Sequence, residues 1–158
     1  MRIVLDTNVL VSGVLSAAGA PARILEAVLA GELELAIDMA IREEYEEVFR
    51  RPELGFDRAQ VDELLAAIDH LAHEVTAAAP CPEPLPDPDD EPFLGVAAAS
   101  VSVLVTGNTR HHPARARRGV VVLTPRELVD RLRVPARLTT GRPPPSLNHR
   151  SSRARRTR

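Results

Sequence analysis

The run RIVLDTNVLVSG, residues 2–13, decides the fold. Its first four residues include β-branched Ile3 and Val4 and stop abruptly at Asp6. A short apolar run of this kind reads as a buried strand of a parallel sheet, with its carboxyl end opening on a site. Residues 8–16 then take helical spacing, so the run is a strand, a polar turn and a helix. Residues 21–30 read as a second helix, with Pro21 well placed in a first turn and Gly31 as a stop. LELAI (33–37) returns to strand character, and 40–50 spaces Ile41, Tyr45, Val48 and Phe49 helically until Pro52. Residues 57–74 repeat that pattern with Val61, Leu64, Leu65, Ile68 and Leu71, placing His70 and His73 on an exposed part of one long helix. Further along come a short third strand at 75–79, a proline-acid loop at 80–92, a helix at 93–100 and the strand VSVLVT at 101–106. VVVL (120–123) is another strand, and TPRE opens the last helix, with Thr124 as cap, Pro125 in the first turn and Glu127 closing a capping box. Alternating strands and helices joined by short loops imply an α/β fold, a Rossmann-like parallel sheet of about five strands flanked by helices.

With 158 residues, the chain is long enough to bury a core as one domain. That domain is expected over 1–134; residues 135–158, ending TTGRPPPSLNHRSSRARRTR, form an arginine- and proline-rich tail with too few apolar residues to fold. The single cysteine, Cys81, excludes an internal disulfide framework and a cysteine-based zinc cluster. Apolar runs fall short of the roughly 18 to 20 residues a membrane helix needs, and Asp6 interrupts any signal-peptide pattern, so the expectation is a cytoplasmic protein without a membrane partner. All 20 basic residues are arginine, which GC-rich coding explains, and the lack of lysine excludes Schiff-base chemistry and a Walker A phosphate site. Charge is divided sharply along the chain. Six arginines against 20 acids before residue 109 give −14, whereas fourteen against two after it give +12. The basic tail is read either as a flexible polycation that strengthens RNA binding or as an extension that folds back on the acidic body.

Four local signatures fall at carboxyl ends of expected strands or on adjacent helices, where open parallel sheets place their sites. They are LDTNVLVSG with Asp6, IREEYEEVFRRP with Glu44, DPDDEPFLGVAAAS with Asp90, and LVTGNTRHHP with Asn108. Singly, each has an ordinary reading: a helix cap for Asp6, a solvated face for Glu44, a polar turn around Asp90. Several carboxylates facing one another repel, however, and a hard divalent cation relieves that repulsion through oxygen ligands.

In this order the four signatures resemble the PIN-domain family, in its branch of toxin components of bacterial type II toxin–antitoxin systems (VapC-like). The resemblance covers about residues 1–134 and is strongest in DTNVLVSG, EYEEVFRRP, DPDDEPFLGVAAA and VTGN…HHP followed by VVVLTPREL. It implies a ribonuclease that hydrolyses RNA phosphodiester bonds with Mg2+ or Mn2+ bound to Asp6, Glu44 and Asp90. The family's fourth acid is commonly aspartate, and here the matching residue is Asn108, whose amide adds no charge to a cation site. Thr106 and Ser12 match hydroxyl positions that line the family's site, and Asn8 matches a residue that orients the acids. His111 and His112, just beyond, are read either as inert loop residues or as a contact to RNA phosphate near the site. An RNA substrate, a cognate antitoxin protein and a homodimer complete what the resemblance implies.

Two phosphotransfer folds also begin with a strand ending in aspartate. A haloacid-dehalogenase phosphatase needs a second Asp where Asn8 stands, and both it and a response-regulator receiver need a lysine that this chain lacks. The remaining rival is a catalytically weak PIN-like module that binds RNA or an antitoxin, with Asn108 marking a decayed site. The intact trio Asp6, Glu44 and Asp90 weighs against it.

Overall fold

The computed structural model describes residues 1–76, 84–117 and 119–133. Its elements are β1 (Arg2–Leu5), α1 (Thr7–Leu15), α2 (Ala20–Leu29), β2 (Glu34–Ile37), α3 (Met39–Phe49), α4 (Arg58–Leu71), β3 (His73–Glu74), α5 (Glu91–Ala99), β4 (Val103–Val105), β5 (Val122–Leu123) and α6 (Pro125–Arg133). Short 3-10 turns at Pro52–Leu54, Pro88–Asp90 and Thr109–His111 supplement them. The five strands form one parallel sheet in the order β3-β2-β1-β4-β5, as an α/β fold flanked by helices requires. Among the described residues, no single helix is long and apolar enough to cross a membrane.

β1 holds the middle of the sheet because Ile3, Val4 and Leu5 are apolar on both faces, and all three are buried. It pairs with β2 on one side and with β4 on the other, with Ile3, Val4 and Leu5 opposite Val103, Leu104 and Val105. The chain therefore winds outward from β1 to β3 and then returns to build the other half from β4. That reversal opens a crevice at the carboxyl ends of β1 and β4, the usual ligand position in such sheets. α5 packs against β1, β2 and β4, while α2 packs against α1, α4 and α6. Gly13 sets the closeness of α1 to the start of α2: a Cβ there would stand 3.0 Å from the Pro21 carbonyl oxygen. Tyr45, on α3, is fully buried and donates its hydroxyl to the Leu5 carbonyl at 2.5 Å, which ties α3 to the end of β1.

Helix starts follow the sequence closely. Asp6, Asp38 and Asp57 cap α1, α3 and α4, accepting backbone N–H groups through their carboxylates. The capping box of α6 is complete, with Glu127 N donating to Thr124 Oγ1 and Thr124 N donating to the Glu127 carboxylate.

Several boundaries differ from expectation. The helix expected over 57–74 stops at Leu71, Ala72 turns extended, and His73 and Glu74 pair with Ala36 and Ile37 as an edge strand. The strand expected at 75–79 thus begins two residues early, and His73 belongs to it rather than to α4; Val75 N still donates to the Ile37 carbonyl. The strand expected at 101–106 shortens to Val103–Val105, because Val101 adopts φ 53° as the left-handed residue that ends α5. Ser102 N donates to the Ala97 carbonyl and Val101 N to that of Ala98, a Schellman closure at which glycine is the usual occupant. The strand expected at 120–123 keeps only Val122 and Leu123. Cys81, residues 77–79 and the tail from 135 onward lie outside the described residues.

Val101 is 92% exposed, so its side chain gains almost nothing from packing while its β-branched backbone is held where such residues are strained. Val101→Gly should therefore raise stability by roughly 0.5–1 kcal/mol, the relief of strain exceeding glycine's extra chain entropy. Urea unfolding of the two proteins measures this, and a lower midpoint for the glycine variant would refute it.

Candidate functional site

Asp6 stands at the mouth of the crevice, 6% exposed. Its backbone N–H extends the sheet to the Val105 carbonyl at 2.9 Å. One carboxylate oxygen, Oδ1, accepts the Asn8 N–H at 2.9 Å, and the other, Oδ2, accepts the Thr106 hydroxyl at 2.5 Å. Thr106 Oγ1 itself accepts the Asn108 N–H at 3.0 Å, which directs its proton toward Asp6. The acid is thus fixed from β1, α1 and β4 at once.

Glu44 arrives from the second turn of α3. Its Oε1 accepts the hydroxyl of Thr7 at 2.6 Å. Burial raises the Glu44 pKa, the Thr7 bond opposes the rise, and the negative charges of Asp6, Asp89 and Asp90 add to it. Asp90 ends the 3-10 turn that opens α5, and its Oδ2 lies 2.8 Å from His111 Nδ1. Burial raises its pKa too, against the hydrogen bond from His111 and the nearby His112, with Asp6 pushing the same way as burial. Tyr45, buried beneath these acids, is pushed well upward by burial and by Asp6 and Glu44, and so remains a neutral hydroxyl donor.

Asp6, Asn8, Glu44 and Asp90 line one open cleft of about 650 Å3. Glu43, Glu47, Asp87 and Asp89 line it as well, so seven acids face it with a single arginine, Arg51, which pairs with Glu47 at 3.0 Å. The remaining acid of the IREEYEEV helix, Glu46, turns away and pairs with Arg42 and Arg50.

The other expected residues take different places. Thr106 reaches the cleft through Asp6, and His111 through Asp90. Asn108 contributes its backbone N–H while its side chain is exposed. Ser12 donates its hydroxyl to the Asn8 carbonyl one turn back along α1, away from the cleft. Thr7 is the residue that sequence reasoning missed, although a hydroxyl between Asp6 and Asn8 was visible in the DTN motif. His112, read as an inert loop residue or a contact to RNA phosphate, is 1% exposed; burial lowers its pKa against the pull of Asp90 and Asp6.

The donors suit a hard divalent cation. Asp6, Glu44 and Asp90 offer only oxygen; burial is the main cause of the raised pKa values of the latter two, and the charge of Asp6 adds to both, a repulsion that a cation would cancel. Among the described residues, Asp87, Asp90 and His111 present ligand atoms that all lie within 4.8 Å of one another.

Comparison with known proteins agrees with this architecture. The sequence profile of the PIN domain matches residues 2–110, and the chain belongs to the PIN-domain family. Among solved structures, it is similar to a chain from the crystal structure of VapBC2 from Rickettsia felis bound to a DNA fragment from their promoter. The TM-score is 0.55 at 15% identity, over 78% of this chain and 98% of that one, a likeness of fold. Among curated proteins, none matches the chain.

Because the folded pKa of Glu44 is raised, its contribution to stability is full below the ordinary carboxylate range and is lost as pH rises through the folded value. Glu44→Gln keeps an acceptor for Thr7 but removes the charge. The cation-free variant should be more stable than the parent at about pH 7.5, with the difference shrinking toward zero at about pH 4. Thermal midpoints with and without Mg2+ test this, and Mg2+ should raise the parent more than the variant at the higher pH. A difference independent of pH would refute the electrostatic account.

Proposed function

We propose that this PIN-domain chain is a metal-dependent endoribonuclease that hydrolyses RNA phosphodiester bonds, and that it is the toxin of a toxin–antitoxin pair. One observation carries the reading. Carboxylates from the end of β1, from α3 and from the opening of α5 meet in a single open cleft at the sheet's reversal point.

Asp6, Glu44 and Asp90 would hold Mg2+ or Mn2+, with Asn108 at the margin as a neutral fourth group. When bound, such an ion polarises the scissile phosphate and lowers the pKa of water. The chain's own part is to orient and to select. Thr106 and Asn8 fix both oxygens of Asp6, and Thr7 fixes one oxygen of Glu44. Seven acids make the cleft hostile to a phosphate chain without a cation, so substrate and metal depend on each other there. The lining offers no serine, cysteine or lysine nucleophile among the described residues, which leaves attack to water. The fold likeness to a chain of the VapBC2 structure, which is bound to a DNA fragment from their promoter, supports an antitoxin partner. We further read the chain as a cytoplasmic homodimer, with residues 1–134 as the PIN domain and the arginine tail adding affinity for RNA.

EDTA should abolish cleavage of single-stranded RNA, and Asp6→Asn or Asp90→Asn should reduce it at least about a hundredfold without lowering the thermal midpoint. Cleavage undiminished in either variant would sink the assignment; RNA binding without cleavage in the parent would leave a binding module. Asn108→Asp should shift the Mg2+ midpoint of activity to lower concentration, because it restores the carboxylate that the family commonly carries at this position. Identical midpoints would place that side chain outside the metal's reach.

A further inference from the structure

One group beside the carboxylates has a different donor chemistry. Asp87 caps the turn Pro88–Asp90, Asp90 ends it, and His111 closes the turn Thr109–His111 beyond β4. Backbone bonds preset the two acids, since Asp90 N donates to the Asp87 carbonyl and Asp87 Oδ1 accepts from Asp89 N, each at 3.2 Å. His111 Nδ1 already stands 2.8 Å from Asp90 Oδ2. One ligand atom from each of the three lies within 4.8 Å of the others, a spread that a single ion at ordinary bond lengths can span after small adjustment. All three side chains are half-buried, so an ion enters without opening the core.

A second observation comes from the next residue. The ring of His112 is buried, its Nδ1 has no hydrogen-bond partner among the described residues, and it lies within electrostatic reach of Asp90 and Asp6. A buried imidazole nitrogen left unpaired beside carboxylates calls for a missing group, such as water held by an ion.

Mg2+ keeps to oxygen and water, whereas Mn2+, Co2+ and Zn2+ accept imidazole alongside carboxylate. We propose that Asp87, Asp90 and His111 form a cation site of their own, selective for a first-row transition ion such as Mn2+ or Zn2+ over Mg2+. The ion takes the lone pair of an imidazole nitrogen and carboxylate oxygens. Where that nitrogen is Nδ1, a neutral ring changes tautomer, giving its Nδ1 proton to water and taking one up at Nε2, and nothing is oxidised or reduced. The site shares Asp90 with the proposed nuclease centre but does not depend on that reading. Its rival is a plain brace, with His111 doing no more than tying one loop to the other.

Mn2+ binding to the full chain, read by electron paramagnetic resonance in excess Mg2+, separates the two, because Mg2+ fills a site built only of oxygen. The parent and Asp6→Asn should both bind Mn2+ under these conditions, and Zn2+ should displace it. His111→Ala and Asp87→Asn should each weaken binding at least about tenfold. Circular dichroism checks folding, and should His111→Ala misfold, Asp87→Asn decides alone, since asparagine still accepts the Asp89 N–H. Three results would overturn the proposal: no Mn2+ bound by the parent in excess Mg2+, undiminished binding in Asp87→Asn, or binding lost in Asp6→Asn alone. A parent that binds Mn2+ this way yet cleaves no RNA leaves the site standing and removes the nuclease reading instead.

Discussion

The Asp6–Thr106 hydrogen bond spans the crevice where the sheet reverses, and much of the molecule is arranged around it. A buried carboxylate without a cationic partner is tolerated only where fixed donors replace water. Two donors do so here. The Asn8 N–H exists because α1 begins immediately after β1, and the Thr106 hydroxyl exists because β4 pairs with β1 in the register that sets Val105 beside Leu5. A one-residue slip of β4 would move Thr106 from Asp6 and turn Leu104 and Val105 to the wrong faces. Core packing and site geometry are thus enforced by the same register. Tyr45 reinforces this by tying α3, the carrier of Glu44, to the last carbonyl of β1.

Charge on α3 is partitioned by the helical period. Glu43, Glu44 and Glu47 face the cleft, whereas Arg42, Glu46 and Arg50 face outward and join Asp62 and Asp69 of α4 in an ion-pair network. The outer pairs are solvent-exposed and add little stability singly. Their consequence lies elsewhere: they engage Arg42 and Arg50 on the outward face of α3. Arg51 alone lines it, already paired with Glu47. Among the described residues, the cleft lining therefore keeps an excess of negative charge.

What was legible in the sequence follows burial. Strands β1, β2 and β4 were visible because they are largely buried and rich in apolar residues, and Asp6, Glu44 and Asp90 stood out by their place relative to those runs. The edge strand His73–Glu74 was not visible, because both residues are exposed and carry no period-two signal. Val101 looked like strand because valine favours it, but the closure of α5 overrode that preference. The roles of Thr7 and Asp87, and the burial of His112, were not visible for another reason. Their roles arise from contacts, or a lack of them, between segments far apart in sequence, as with Thr7 and Glu44 at a separation of 37 residues. No local pattern encodes such an encounter.

The position of Asn108 shows how the two kinds of information separate. Its backbone N–H supports Thr106, and through it Asp6, whatever side chain stands there, proline excepted. Its own side chain is exposed and makes no hydrogen bond among the described residues. The loss of a family carboxylate at this point therefore leaves the Asp6–Thr106 link untouched and removes only a charge. A decayed site would be expected to lose geometry first, since unsupported acids repel one another apart. Here Asp6 keeps donors on both carboxylate oxygens, and Glu44 keeps the Thr7 hydroxyl on one.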